Sequence, residues 1–124
     1  MTHHDRDIGT ALDQLVRDNE TVLFMKGSKH QPQCGFSSKV AGVLNYLNVN
    51  YLDVNVLDDE TVREGIKVYS DWPTIPQLYI KGEFIGGCDI VIEMTMSGEL
   101  DTLLEDKGIP FDKSAAEAIR RHNG

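Results

Sequence analysis

Cysteine is scarce in this chain: there are two among 124 residues, Cys34 and Cys88. A secreted disulfide scaffold uses more cysteine in less chain, so the count excludes that class and points to reduced thiols in a reducing compartment. Long apolar runs are also missing, and none approaches the roughly 20 residues of a membrane-spanning helix. Basic residues are outnumbered, 12 Lys and Arg against 20 Asp and Glu, for a formal net charge of −8. That balance excludes general nucleic-acid binding, which needs a basic face, and docking on anionic lipid. Residues 1–18 carry acids and no apolar core run, so neither a signal peptide nor a transit peptide is expected. The expectation is a cytoplasmic chain with no nucleic-acid or membrane partner. Internal repeats and low-complexity segments are absent as well.

What is present suits one domain. About 40% of residues are hydrophobic, enough for a single core at this length. Residues 5–18 read as an amphipathic helix, with Ile8, Ala11, Leu12, Leu15 and Val16 at helical spacing. The apolar run Thr21 to Met25 reads as a strand covered on both faces. Lys26 to Gln33 reads as a polar loop with Gly and Pro. A helix follows from about Gly35 to Asn48, then a strand within Tyr51 to Leu57. Asp58 and Asp59 form an N-cap region ahead of a helix over 61–69. After the turn-rich link 71–76, Leu78 to Ile80 and Phe84 to Gly86 read as a hairpin about Lys81-Gly82-Glu83. Asp89 is the expected N-cap of a next helix, Gly98 interrupts it, and Leu100, Leu103 and Leu104 suggest another. Residues 114–122 read as a short tail helix. The first β-α-β requires a parallel pair with a right-handed crossover, and the closing hairpin adds an antiparallel pair. The predicted architecture is α/β, a mixed four-stranded sheet flanked by helices.

Cys34 falls where a loop meets a helix. Helix-start N–H groups lack partners and the dipole there favours negative charge. A thiolate at that place is stabilised, and its pKa falls below the free value of about 8.5. Lys26 leaves the first strand on the same sheet edge, where its cation can support the thiolate or take a ligand carboxylate. Gly35 leaves room for a second molecule to approach the sulfur. Ser37 occupies the position at which a two-cysteine motif carries its resolving thiol, so dithiol chemistry by this pair is excluded. A one-thiol reaction through a mixed disulfide remains, as does metal ligation. The competing reading of Cys34 is a buried structural cysteine; the Pro-x-Cys-Gly setting favours function. Pro76, if preceded by a cis bond, lets Ile75 present its backbone to an extended peptide. In Gly86-Gly87-Cys88-Asp89 the helix-opening N–H groups can bind a carboxylate, and Asp89 can accept from an ammonium group. Cys88 reads either as a redox partner of Cys34 or as a small buried residue, and the second is favoured. His30 could tune a metal group but reads better as loop decoration. His3 and His4 could be a metal pair, but a solvated terminus is favoured.

Four segments taken together resemble a known family. Met25-Lys26-Gly27-Ser28, Cys34-Gly35-Phe36-Ser37, Trp72 through Leu78, and Gly86-Gly87-Cys88-Asp89-Ile90 are similar to those of the monothiol glutaredoxins of the CGFS class. The resemblance runs from about residue 8 to 107. It implies a thioredoxin-like fold, with a glutaredoxin domain over 1–110 and a tail over 111–124. It also implies glutathione binding. Carried over, Cys34 is the active thiol and metal ligand. Lys26 and Arg63 meet the glycine carboxylate of glutathione, Ile75 offers its backbone beside a cis Pro76, and Cys88 and Asp89 hold the γ-glutamyl end. Arg63, taken alone, reads only as a solvated residue of the third helix. The activity implied is carriage of a 2Fe–2S cluster. Two protomers and two glutathiones each give one thiolate, as four-thiolate ligation requires. BolA-like proteins and iron–sulfur acceptors are the implied partners. The alternative is a weak glutathione-dependent oxidoreductase acting on protein–glutathione mixed disulfides. The filling His30-Gln31-Pro32-Gln33 and the length beyond Lys107 depart from the family pattern.

Overall fold

The computed structural model describes the backbone of residues 3–123 and the side chains of residues 7–121. The side chains of His3 and His4 lie outside the described residues. In chain order the elements are α1 (His3–Asp18), β1 (Thr21–Met25), β2 (Gly27–Ser28), β3 (Gln31–Pro32), α2 (Gly35–Tyr46), β4 (Leu52–Asn55), α3 (Glu60–Ser70), β5 (Gln77–Ile80), β6 (Glu83–Gly86), α4 (Cys88–Ser97), α5 (Glu99–Asp106) and α6 (Lys113–Asn123).

β1 is the axis of the main sheet, whose order is β4-β1-β5-β6. It pairs parallel with β4, Val22 opposite Leu52, and antiparallel with β5, Val22 opposite Tyr79. β5 and β6 close the sheet as the expected hairpin, with a register shift between Leu78 and Tyr79. All five residues of β1 are buried because both faces are covered. The strand period of two sorts them. Leu23 and Met25 join one cluster with Leu78, Ile80 and the apolar stripes of α2, α4, α5 and α6. Val22 and Phe24 join a second cluster with Leu12 and Val16 of α1, Ile66 of α3, and Tyr79. Helices therefore cover both faces. A fully buried side chain such as Phe24 contributes about 1.5–3 kcal/mol of transfer free energy.

α1 and α3 approach closely over Gly65. A Cβ there would stand 2.9 Å from an Ile8 side-chain carbon. α4 and α5 are separated, as predicted, by Gly98, whose φ of +88° only glycine adopts readily. The helix expected at 114–122 is α6. It lays Ala115 and Ala116 into the larger cluster and pairs Arg120 with Asp101 at 2.9 Å.

Two expectations are corrected. The loop 26–33 is a small antiparallel hairpin, Gly27 opposite Pro32 and Ser28 opposite Gln31. Gly27 turns the chain at φ +92°, where a Cβ would meet the Gln31 carbonyl oxygen at 2.5 Å. Side chains distant in sequence pin the hairpin. Asn55 accepts from the Gly27 N–H (2.9 Å), Asp53 from the Lys29 N–H (2.8 Å), and Asn45 donates to the Lys29 carbonyl (3.0 Å). Local periodicity carries no trace of such long-range bonds. The other correction concerns α4. Its N-cap is Gly87, whose carbonyl already accepts from the Val91 N–H at 3.0 Å, so Asp89 sits inside the first turn.

Candidate functional site

At the end of β1 the chain turns through the small hairpin and re-enters the sheet edge as α2. Cys34 is the N-cap of α2, with extended backbone (φ −154°, ψ 138°), and its carbonyl accepts the first helical bond from Ser38 at 2.8 Å. An N-cap side chain lies over the N–H groups two and three residues on, here Phe36 and Ser37. The neutral thiol forms no strict cap hydrogen bond. These N–H groups nonetheless act on the sulfur: Ser37 first, then Phe36, hold the Cys34 thiol below the ordinary thiol range. The Lys26 cation and the Ser37 hydroxyl add to the effect, and partial burial opposes it.

Ser37 is fully buried. Its hydroxyl oxygen accepts from the Lys26 N–H at 3.0 Å, which ties the end of β1 to the first turn of α2. The hydroxyl proton remains available to the Cys34 sulfur. The residue standing where a resolving thiol would be is thus a structural clamp that also favours the thiolate.

Cys34 opens onto a cavity of about 480 Å³, within the range of about 300–1,000 Å³ usual for small-molecule sites. The structure brings all six sequence-selected residues to it: Lys26, Cys34, Arg63, Ile75, Cys88 and Asp89. Three cations converge there, because Lys67 lies one helical turn beyond Arg63 on α3. Lys67 makes a 3.4 Å contact with Glu64 on its own helix. Arg63 keeps a buried Nε with no hydrogen-bond partner. A buried polar group without a partner is costly, and an anionic ligand would satisfy it.

The opposite wall is the link before β5, from Trp72 to Pro76, and the Ile75–Pro76 peptide bond is cis. Trp72 packs on Phe84 with ring centroids 5.9 Å apart. The start of α4 closes the cavity floor. Gly87 lets the backbone approach closely there, since a Cβ would press to 3.3 Å on both the Pro76 carbonyl oxygen and the Trp72 indole nitrogen. Cys88 is buried beside it as a free thiol, and burial pushes its pKa up, against a smaller opposing effect of Lys39. Asp89 is exposed at the mouth. His30 is exposed at the hairpin turn and is not among the cavity-lining residues.

Sequence reasoning missed Lys67, and it gave no site role to Trp72, Thr74 or the exposed apolar rim of Phe36 and Ile90, although these four fall within the segments it singled out. The i,i+4 spacing of Arg63 and Lys67 was the signal that could have exposed the first. The exposure of Phe36 and Ile90 had no local mark, because exposed apolar residues look like core positions until the fold is known.

The sequence model of the Glutaredoxin family matches residues 21–85. A Synechocystis protein described as an uncharacterized monothiol glutaredoxin is 53% identical over 94 residues, covering 76% of this chain and 88% of that one. The chain also matches monothiol glutaredoxins of rice and Arabidopsis, of whose length the match spans 22% in each case. Among solved structures, reduced apo GrxS14 of poplar is 53% identical, with a TM-score of 0.69 over 79% of this chain and 90% of that one. A buckwheat glutaredoxin–glutathione complex is 25% identical, with a TM-score of 0.78 over 89% of this chain and 98% of that one. The architecture described above is thus the thioredoxin-like fold of glutaredoxins.

Proposed function

This chain belongs to the glutaredoxin family, among its monothiol members, and on that premise we propose that it binds glutathione beside Cys34 and carries a 2Fe–2S cluster between two copies of itself for delivery to acceptor proteins. One observation carries the reading. A single low-pKa thiol stands at the mouth of a cavity lined by Lys26, Arg63 and Lys67, with the Arg63 Nε unpartnered. Such a cavity suits a small anionic thiol, and the buckwheat relative is solved as a complex with glutathione. The cations would take the glycine carboxylate, the Ile75 backbone the extended peptide, and the start of α4 with Asp89 the γ-glutamyl end.

The cluster is cargo, and the donor set fits it. Iron in such clusters takes thiolates, four in all. One chain offers one accessible thiolate, because Cys88 is buried with a raised pKa and Ser37 is a hydroxyl. Two chains and two glutathiones complete the set. The exposed Phe36 and Ile90 beside Cys34 give the second copy an apolar rim to meet. Acceptor proteins and a BolA-like protein are the partners proposed to compete for that rim.

Anaerobic reconstitution with iron, sulfide and glutathione should give a dimer with a 2Fe–2S chromophore. It should require both Cys34 and glutathione. A chromophore that survives Cys34→Ser, or that forms equally without glutathione, would sink the proposal.

The lowered Cys34 pKa also favours a second reading. The Cys34 thiolate would attack the glutathione sulfur of a protein mixed disulfide, and the protein thiol would leave with a proton. A second glutathione would then release oxidised glutathione and restore Cys34. Fast turnover of glutathionylated protein by cluster-free chain would make this the main activity.

A further inference from the structure

In the link that walls the cavity, residues 72–74 are exposed, and the carbonyls of Trp72 and Thr74 are held by one buried side-chain amide. Gln77, the first residue of β5, is fully buried and stands opposite Phe24 of β1. Its Nε2 donates to the Trp72 carbonyl at 3.1 Å and to the Thr74 carbonyl at 3.2 Å. Its Oε1 accepts from the Tyr79 hydroxyl at 3.2 Å. Both amide hydrogens are therefore used, and they go to two carbonyls of the same link. Among the described residues, no other side chain bonds the backbone between the Trp72 carbonyl and Pro76.

The consequence follows from peptide geometry. In a trans peptide the C=O and the following N–H point in opposite directions. The only cis bond among the described residues is Ile75–Pro76, so the Thr74–Ile75 peptide is trans. Drawing the Thr74 carbonyl inward to Gln77 turns the Ile75 N–H outward, toward the cavity that Ile75 lines. Among the described residues, no hydrogen bond uses that N–H. The Trp72 carbonyl has no such counterpart, since Pro73 follows it.

We propose that Gln77 is a positioning residue for the peptide ligand: its buried carboxamide fixes the Thr74–Ile75 peptide plane, so that the Ile75 N–H faces a bound extended tripeptide. This rests on the reading of the cavity as a glutathione site. Gln77 itself touches neither ligand nor thiol. It acts through Thr74 and Ile75, on the wall opposite the groups that tune Cys34. Glutamate in its place keeps the acceptor for Tyr79 but presents no amide donors to the two carbonyls. Methionine fills the space with neither.

The test is an NMR titration of the ¹⁵N-labelled full chain with reduced glutathione, alongside Gln77→Glu, Gln77→Met and Tyr79→Phe. The two Gln77 variants should bind about tenfold more weakly, the scale of one lost ligand hydrogen bond. They should also lose the glutathione-induced shift of the Ile75 amide. The pH profile of Cys34 alkylation should stay where it is in the wild type, which a general disturbance of the fold would not allow. Tyr79→Phe keeps both amide donors and should bind within about threefold of wild type. The proposal is overturned if Gln77→Met retains wild-type affinity and the Ile75 shift, or if affinity and the Cys34 profile move together. Should Gln77→Glu fail to fold, the near-isosteric methionine variant decides alone. A wild-type chain that does not bind glutathione would overturn this proposal and the proposed function together, whereas a binding wild type beside an unaltered variant removes only the role of Gln77.

Discussion

Cys34 and Cys88 stand at the starts of two helices and line one cavity, yet their acidities move in opposite directions. Cys34 is an N-cap, outside the helix it opens, so its sulfur lies over the free N–H groups of Ser37 and Phe36. Cys88 is already the first helical residue of α4. Gly87 takes the cap, and the Cys88 side chain packs into the larger apolar cluster. The first sulfur feels oriented dipoles and a lysine, while the second feels chiefly desolvation. One residue of offset along a helix start goes with opposite shifts, the Cys34 thiol held below its ordinary range and the Cys88 thiol pushed above it. A third start, that of α3, is closed differently. Asp59 caps it by accepting from the Thr61 N–H at 2.9 Å, so a carboxylate of the chain itself already stands at that helix start.

The difference can be broken most completely at Cys34. Cys34→Ser should abolish the reconstituted chromophore and the mixed disulfide with glutathione, whereas Cys88→Ser should retain most of both. Absorbance and mass spectrometry read the two outcomes, and equal loss in both variants would erase the distinction. Next in size is reactivity. At neutral pH iodoacetamide should alkylate Cys34 at least about tenfold faster than Cys88. A lowered pKa keeps the thiolate populated to lower pH, so the Cys34 rate should fall only below the ordinary thiol range. The Cys88 rate should begin to rise only above that range. Peptide mapping at graded pH checks both limbs.

Ser37→Ala sharpens the role of the clamp. It removes the acceptor of the Lys26 N–H and the hydroxyl beside the sulfur. Unfolding free energy should drop by about 1–3 kcal/mol, the cost of a buried donor left unsatisfied. The Cys34 alkylation profile should move toward higher pH. A denaturant titration with unchanged midpoint would show that the bond is dispensable. Smallest is Asp59→Ala, expected to cost about 1 kcal/mol as a lost N-cap while leaving glutathione affinity and the Cys34 profile unchanged. An altered profile there would mean that the three helix starts are not independent.

Much of the fold was legible in the sequence. The run from Thr21 to Met25 announced a strand buried on both faces. Gly82 marked the hairpin, Gly98 the break between α4 and α5, and Asp59 the cap of α3. Each is a local signal with a local cause. The site was legible as motifs more than as geometry. Arg63 looked like any exposed arginine of an amphipathic helix, because its partner-free Nε exists only once α3 lies beside the cavity. The hairpin at 26–33 was missed because Asn45, Asp53 and Asn55, which hold it, come at least 16 residues later than the groups they bind. Asp89 looked like a cap because acidic residues favour helix starts, and only the Gly87 carbonyl's bond to Val91 places the cap two residues earlier.

By itself the sequence determined the α/β order, the lone thiol of the Cys34-to-Ser37 segment, and the exclusion of dithiol chemistry within it. These depend on residue type and near-neighbour spacing, which covalent order alone dictates. Tertiary structure decided which thiol is activated, which cations face it, and how the Ile75 N–H is aimed. Those properties depend on desolvation, on dipole orientation and on hydrogen bonds between segments far apart in the chain. Such quantities take their values only when β1, α2, α3, the Trp72–Pro76 link and α4 are packed around one cavity.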